Sequence, residues 1–504
     1  MNIKCYINIE KKVLKNKKSD IINKIKEVKM KEKINKKIEE YTQDMINHIS
    51  NLIKIPSISN EEIAEENMPF GKECNNALEY MLNLGKELGF RTKNVDGYCG
   101  YIEFGEGEEL IGIIGHLDVV PADESDWKIT KPFEPKIYEN KIYGRGAIDD
   151  KGPTIAALYA MKVVKDIGKI NKRVRLIIGL NEEKSWKCIN YYKEHEEIPA
   201  LGFSPDADFP CIYAEKSIIH PFIEGANNKN EKIIIEKIDC QNNALNVVPK
   251  YCECILKIKD INQNEVINDI QEIIKNNDFD IQVNQQNKEN IELISNGVSS
   301  HAAHPDLGKN AISQVILLIN EVFNKYKIEN ELIEFFAKYI GKDYNGNLLE
   351  INKKDESGEL TLNVGKLYIK PEENKEKIKI GIDLRIPIDT DPEFVKNTFK
   401  QKIAEYKDLK LTFGGEVNKL FIPKDSKLIK TLTQVFNEIT NKNEEPITIG
   451  GATFARAFPN CVSFGANMPH EKDLCHQADE NIKIDNLIIS AKIYANAIYK
   501  LMEE

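Results

Sequence analysis

The stretch "GPTIAALYAMKVVKDIG" at 152–168 decides the fold, because of what stands on either side of it. It reads as a helix, with Pro153 suited to the first turn and Gly168 to the end. Upstream, "LIGIIGHLDVV" (110–120) is rich in β-branched residues and reads as a buried strand; downstream, "RVRLIIGLNEE" (173–183) reads as a second. Strand, helix, strand in that order predicts a parallel βαβ unit, hence an α/β chain with a central, mostly parallel sheet and helices on both faces.

Working outward, "IEEYTQDMINHISNLI" (38–53) has helical periodicity and is stopped by "PSIS". After "GFSPDADFPCIYAEK" (202–216) the texture changes to Asn- and Lys-rich segments with short amphipathic strands such as "EKIIIEKI" and "YCECILKIKD". Residues 217–415 therefore read as a separate α+β domain inserted into the first, which spans 30–216 and resumes at 416–504. Glycine-punctuated strands follow in "PITIGGATFARAFPNCVSFGANMP", and a helix from about Ile484 to Met502 closes the chain.

At 504 residues, two or more domains are expected. An apolar fraction of 41% and a charged fraction of 30% are ordinary for a globular protein, and no apolar run approaches the roughly 20 residues that cross a bilayer. The N-terminus lacks a signal-peptide pattern. The ten cysteines include no C-x-x-C pair, so they read as reduced thiols and the expected location is cytoplasmic. Net charge is −10, yet residues 1–37 carry 13 lysines against 4 acids. That stretch reads as a solvated helical extension, since no aromatic-interleaved motif accompanies it and the rest of the chain is acidic. Met30 begins an amphipathic pattern, which leaves 1–29 as a Lys-rich extension. Neither nucleic acid nor membrane is the expected partner.

Five clusters of metal-ligand types lie in or beside loops. "GHLD" holds His116 and Asp118, two apart and so on one side of a strand. "IYGRGAIDDKGP" (142–153) sets Asp149 beside Asp150, two carboxylates that repel unless a positive partner stands between them or one points elsewhere. Glu182–Glu183, Asp206 in "SPDAD" and His476 in "DLCHQADE" complete the set. The first four are expected beyond the carboxyl ends of strands, where open α/β sheets bind ligands. Each cluster alone is weak, since a lone His-x-Asp is more often a hydrogen-bonded pair. Together they offer enough nitrogen and oxygen donors for two divalent ions sharing a carboxylate, a set that suits zinc, with manganese or cobalt as alternatives.

The motifs "GHLDVVPA", "PFEPKIYENKIYGRGAIDDKGP", "NEEKSW", "GFSPDADFP", "NVVP", "SSHAAHP" and "CHQADE" follow one another in an order that resembles the di-zinc exopeptidase superfamily of aminoacylases, carboxypeptidases and carnosinase-like dipeptidases. The PepV-type bacterial dipeptidase branch is the nearest likeness, and it extends over nearly the whole chain after Met30. The resemblance implies that His116, Asp149 and Asp206 hold one metal and Asp149, Glu183 and His476 the other, with Asp149 bridging and an unusual cis peptide joining Asp149 to Asp150. Asp150 is expected to turn away. Asp118 would orient the His116 imidazole, and Glu182, free of metal, would act as general base on a metal-bridging water and return the proton to the leaving amine.

The resemblance further implies that the insert is a lid, whose His301 stabilises the oxyanion and whose Asn246 and Arg385 hold substrate. For Arg385 the bland alternative is a salt bridge within the lid. Gly450 and Gly451 in "IGGATFAR" would let backbone approach the ligand, while His304 receives no role and Arg456 reads as structural. Lys184-Ser185 departs from the small residue and glycine common in relatives, placing an extra positive charge near the acids. The length of the insert, about 200 residues by the boundaries above, predicts a monomer closing its own lid. The expected activity is hydrolysis of dipeptides with free ends; the alternative is an N-acyl amino-acid amidohydrolase using the same metals.

Overall fold

The computed structural model describes residues 24–168, 172–241, 243–372 and 375–503. Most of the Lys-rich extension, residues 1–23, lies outside that range. Residues 24–29, grouped with the extension by composition, form the first turns of a helix over 24–40. Tyr41 is a turn between that helix and the next, Thr42–Ile53, so the periodic run from 38 to 53 is two helices. No helix among the described residues is long and apolar enough to cross a membrane.

The chain divides into two compact units. The first comprises the described residues up to Tyr213 with Ile422–Ile447 and Thr453–Glu504; the second comprises Ala214–Phe421 with Thr448–Ala452. Gly450 and Gly451 thus belong to the second unit, although the sequence order groups them with the closing segment of the first.

The first unit is built on one sheet. Its strands lie in the order Arg91–Val95, Cys99–Gly105, Arg173–Gly179, Leu110–His116, Leu201–Ser204, Cys461–Ser463 and Ile212–Glu215. The three central pairings are parallel and those at both edges antiparallel. The helix between the two predicted strands spans Lys151–Ile167 with Pro153 in its first turn. It is buried along most of its length and packs against helices Thr42–Ile53 and Ile484–Glu503.

Two glycines show that both faces of the sheet are covered. Gly115 pairs with Ile178 and His116 with Gly179, so 115 and 179 point to opposite faces. A Cβ on Gly115 would lie 2.2 Å from Thr154 Oγ1 of helix Lys151–Ile167; one on Gly179 would lie 2.4 Å from the ring of Phe454. Neither position has room for a side chain. Gly115 lets the start of the helix press onto the strand that carries His116.

The second unit has two four-stranded antiparallel sheets. One runs Thr361–Glu372, Lys375–Ile386, Ser217–Asn227, Lys410–Val417, and the other Ile233–Asp239, Tyr251–Ile258, Asn290–Asn296, Ile281–Gln285. Their alternating apolar residues share one core with helices Gln263–Asn277, Ala311–Tyr326, Glu331–Tyr339 and Pro392–Ile403, including Ile235, Leu256, Ile270, Leu293, Val315 and Ile380. The asparagine bias of this region has a local use. Asn262, Asn310 and Asn330 cap three of these helices and Asp391 the fourth, each side chain accepting a first-turn amide.

Candidate metal centre

The expected ligands of the first unit converge beyond the carboxyl end of its sheet. His116 is the last residue of its strand; Glu182–Glu183 and Asp206 follow the strands Arg173–Gly179 and Leu201–Ser204. The Asp149–Asp150 pair is placed differently from expectation. It follows a short strand, Lys141–Tyr143, of a separate three-stranded sheet, and stands at the start of helix Lys151–Ile167. The peptide between the two aspartates is cis.

Asp149 lies between the two histidines. Its Oδ1 is 3.1 Å from His116 Nε2 and its Oδ2 is 3.0 Å from His476 Nε2. Asp206 Oδ2 approaches His116 Nε2 at 3.5 Å, and Glu183 Oε1 approaches His476 Nε2 at 3.0 Å. Three sets of potential ligand atoms lie within 4.8 Å of one another: His116, Asp149, Asp206; Asp149, Glu183, His476; and His116, Glu182, Glu183. The third set includes the residue that the sequence assigns as a base outside the ligand shell.

Asp118 acts somewhat differently from expectation. The nearest acceptor to His116 Nδ1 is the Asp118 backbone carbonyl at 2.9 Å, with the carboxylate Oδ1 at 3.4 Å. The carboxylate itself accepts the backbone amides of Glu182, at 3.0 Å, and Glu183, at 3.1 Å. It therefore holds the loop that carries both glutamates.

Asp150 turns inward, away from the histidine pair. Its Oδ2 accepts from the His116 amide at 3.2 Å and from Thr154 Oγ1 at 2.9 Å. Burial, reinforced by Asp206, pushes its carboxyl well above the ordinary range, which favours the neutral form. That resolves the charge conflict in "DDKGP": one carboxylate is shared by two imidazoles, and the other is buried on the His116 amide and Thr154, where burial favours its neutral form.

The electrostatics call for added positive charge. Burial and the neighbouring Asp149 push Glu183 up to about 7, and burial raises Glu182 and Asp206 also. Loss of hydration works against charge on His476, but hydrogen bonds to Asp149 and Glu183 outweigh it and push the imidazole up to about 11. Three of the four carboxylates facing the two imidazoles, Glu182, Glu183 and Asp206, are pushed toward binding protons, while against burial the imidazoles of His116 and His476 hold Asp149 ionised below the usual carboxylate range. A divalent cation supplies the missing charge, so the donor set fits a metal.

Three residues that the sequence reading passed over build the platform beneath this cluster. Glu480 is fully buried; its Oε1 accepts the amides of Gly146 at 3.0 Å, Ile148 at 3.0 Å and Asp149 at 3.3 Å, and its Oε2 takes Arg145 Nη1 at 2.7 Å. Arg145 also reaches the carbonyl of His476 at 3.4 Å, tying the two ligand loops together. Lys151 Nζ donates to the carbonyls of Leu52, at 3.0 Å, and Ile55, at 2.7 Å, and burial pulls it down to about 7. A clue was available in the acid four residues after His476 and the arginine four before Asp149. Glu480→Gln should leave Arg145 buried without its counter-ion and lower stability by about 3 kcal/mol. Denaturant unfolding measures that loss, and metal titration should show weaker binding.

The expected substrate residues other than the ligands and Glu182 lie on the second unit. Arg385 donates through Nε and Nη2 to the Asp383 carboxylate, at 2.6 and 3.0 Å, and through Nη1 to the Gly450 carbonyl at 3.0 Å. The fork expected to await a substrate carboxylate thus makes the salt bridge, because residues two apart on a strand share a face. Gly450 backs onto Ala303, 2.9 Å from where a Cβ would stand. His301 is exposed, and its Nδ1 accepts the Ala303 amide at 3.3 Å, which leaves Nε2 as the protonated nitrogen of the neutral ring. Asn246 is exposed in a turn, its carbonyl accepting the Ala302 amide at 2.9 Å. In the first unit, Lys184 is exposed, and Ser185 bonds Asn181 and Glu61.

An α/β sheet with clustered histidines and carboxylates beyond its carboxyl edge defines a class of metal-binding hydrolase folds. The chain belongs to Peptidase family M20/M25/M40, whose model matches residues 112–500. It is accordingly a hydrolase. A Bacillus subtilis (strain 168) protein named "Putative dipeptidase YtjP" is 37% identical over 473 residues, covering 91% of this chain and 97% of its own length. A Staphylococcus epidermidis protein with a dipeptidase name of the same kind is 35% identical over 487 residues, covering 93% of this chain and 99% of its own. Among solved structures, human carnosine dipeptidase 1 shares the fold with a TM-score of 0.57 at 14% identity, covering 94% of this chain and 99% of that one. An M20 family metallo-carboxypeptidase from Sulfolobus solfataricus does so with a TM-score of 0.55 at 17% identity, covering 91% and 99%.

Proposed function

We propose that the chain is a dipeptidase that holds two zinc ions, with manganese or cobalt as substitutes, and cleaves short peptides with free amino and carboxyl ends. The observation that carries the reading is the single carboxylate of Asp149 set between two imidazoles, each with a further carboxylate beside it, Asp206 on one side and Glu183 on the other. Dipeptidase names among relatives covering nearly the whole chain support the choice of substrate. Divalent cations held here would lower the pKa of water and polarise the scissile carbonyl.

The chain's own groups supply the rest. Glu182, its backbone fixed by Asp118, is the proposed base; burial raises its affinity for a proton, which suits a group that must take one and then release it to the leaving amine. His301, with Nε2–H as donor, is assigned to the oxyanion. Asn246, Gly450, Gly451 and Arg385 are assigned to substrate. Arg385 keeps two of its five N–H groups beyond the three bonded to Asp383 and Gly450, enough for one further carboxylate. We propose that these residues serve a single chain, acting as a monomer.

A release assay across dipeptides, tripeptides and N-acetyl amino acids tests the reading. Free dipeptides should be turned over fastest, and chelation should abolish the activity. Faster release from N-acetyl amino acids would instead make the chain an N-acyl amino-acid amidohydrolase.

A further inference from the structure

The second unit holds a pair of thiols with no part in the chemistry above. Strand Ile233–Asp239 pairs antiparallel with Tyr251–Ile258, and the last register pair is Asp239 with Glu253. The next residue, Cys240, comes opposite Cys252, and the two Sγ atoms are 3.3 Å apart. Opposed residues of antiparallel strands have Cα atoms about 4.5 to 5.5 Å apart, within the span that a disulfide bridges. Both thiols are free. Cys252 is buried, whereas Cys240, one residue past the end of its strand, is half-buried and so the more exposed of the two.

We propose that Cys240 and Cys252 are an oxidation site that closes to a cross-strand disulfide on exposure to a peroxide. The Cys240 thiol attacks one peroxide oxygen, the O–O bond breaks, and a sulfenic acid and one water form. The Cys252 sulphur then displaces the hydroxyl of that sulfenic acid as a second water, forming the S–S bond. Two thiols are oxidised and one hydrogen peroxide is reduced. Cys240 is the first target because it is the more exposed one, and the adjacent Cys252 traps the sulfenic acid before further oxidation.

The bond would close the base of the 240–252 loop. Within that loop Asn243 Nδ2 donates to the carbonyls of Val247, at 2.9 Å, and Gly365, at 3.1 Å. Val247 forms a bridge with His301, and the Asn246 carbonyl accepts the Ala302 amide. The disulfide therefore staples the segment against which residues 301–302 rest. The thiol pair is independent of the hydrolytic chemistry.

The test is peptide mapping of the full chain after native treatment with hydrogen peroxide, with remaining thiols alkylated under denaturing conditions. The expected product is a Cys240–Cys252 linked peptide pair, an intact mass lower by about two daltons, and reversal by dithiothreitol. In Cys240→Ser the link should be absent and Cys252 fully alkylated. The proposal is overturned if both thiols are still alkylated after peroxide. It is equally overturned if Cys240 joins another cysteine, or passes to sulfinic acid while Cys252 stays free.

Discussion

Asp149→Ala is expected to deprive the chain of both metals and to cut kcat/KM by about four orders of magnitude. The carboxylate supplies one oxygen toward His116 and the other toward His476, so its removal leaves each half of the site a ligand short at once. The loss is not made good by Asp150, whose carboxyl faces the His116 amide and Thr154. Alanine relieves local repulsion among the acids and lies at the start of a well-packed helix, so the fold should persist. Metal analysis of the purified variant, alongside its circular dichroism, reads the effect directly. Retention of one full equivalent of metal with measurable turnover would show that the two halves do not share this residue.

Glu182→Ala should behave in the opposite sense toward metal. Both ions should remain while kcat falls by about three orders of magnitude, the middle of the range for loss of a general base. The contrast matters because Glu182 also lies within reach of His116 and Glu183 as a potential ligand. A ligand role predicts that metal content falls together with turnover; a base role predicts turnover alone. Glu182→Gln sharpens the comparison by keeping size and hydrogen bonding while removing the proton acceptor. If either variant keeps wild-type turnover, the base lies elsewhere.

The parts of this molecule legible in sequence are those written in local pattern. The β-branched run ending at His116, the helix with Pro153 in its first turn and the run ending at Gly179 announce a parallel core, because period and punctuation are local properties. Potential ligands are legible only as a set: each cluster alone has a structural reading, but His116, Glu182–Glu183 and Asp206 recur directly after apolar strands. What escapes is the support. Glu480, Arg145 and Lys151 are buried charges whose partners lie hundreds of residues away or across a helix end, and no spacing rule connects them. Tyr41 escaped because the hydrophobic stripe continues through the break, so periodicity saw one helix where the backbone makes two. Arg385 is legible through the alternation of its strand. In "IDLRI" the alternation of a strand places Asp383 and Arg385 on one face, and the salt bridge follows from that spacing.

Support of this kind positions the loops that carry the clustered acids. Glu480 gathers three amides of the loop that delivers Asp149, and Asp118 gathers the amides of Glu182 and Glu183. The loops that carry Asp149, Glu182 and Glu183 are thus fixed through their backbone amides. Preorganisation of that sort lowers the cost of assembling a charged site and fixes ligand geometry in advance.

The central claim is that two cations share Asp149 and that hydrolysis requires them. It is tested most directly by stripping the full chain of metal and titrating zinc back while following dipeptide release and bound metal together. The expected result is no turnover without metal, two equivalents bound at saturation, and activity that rises with occupancy. Full activity in the metal-free protein, or saturation at a single equivalent, would contradict it.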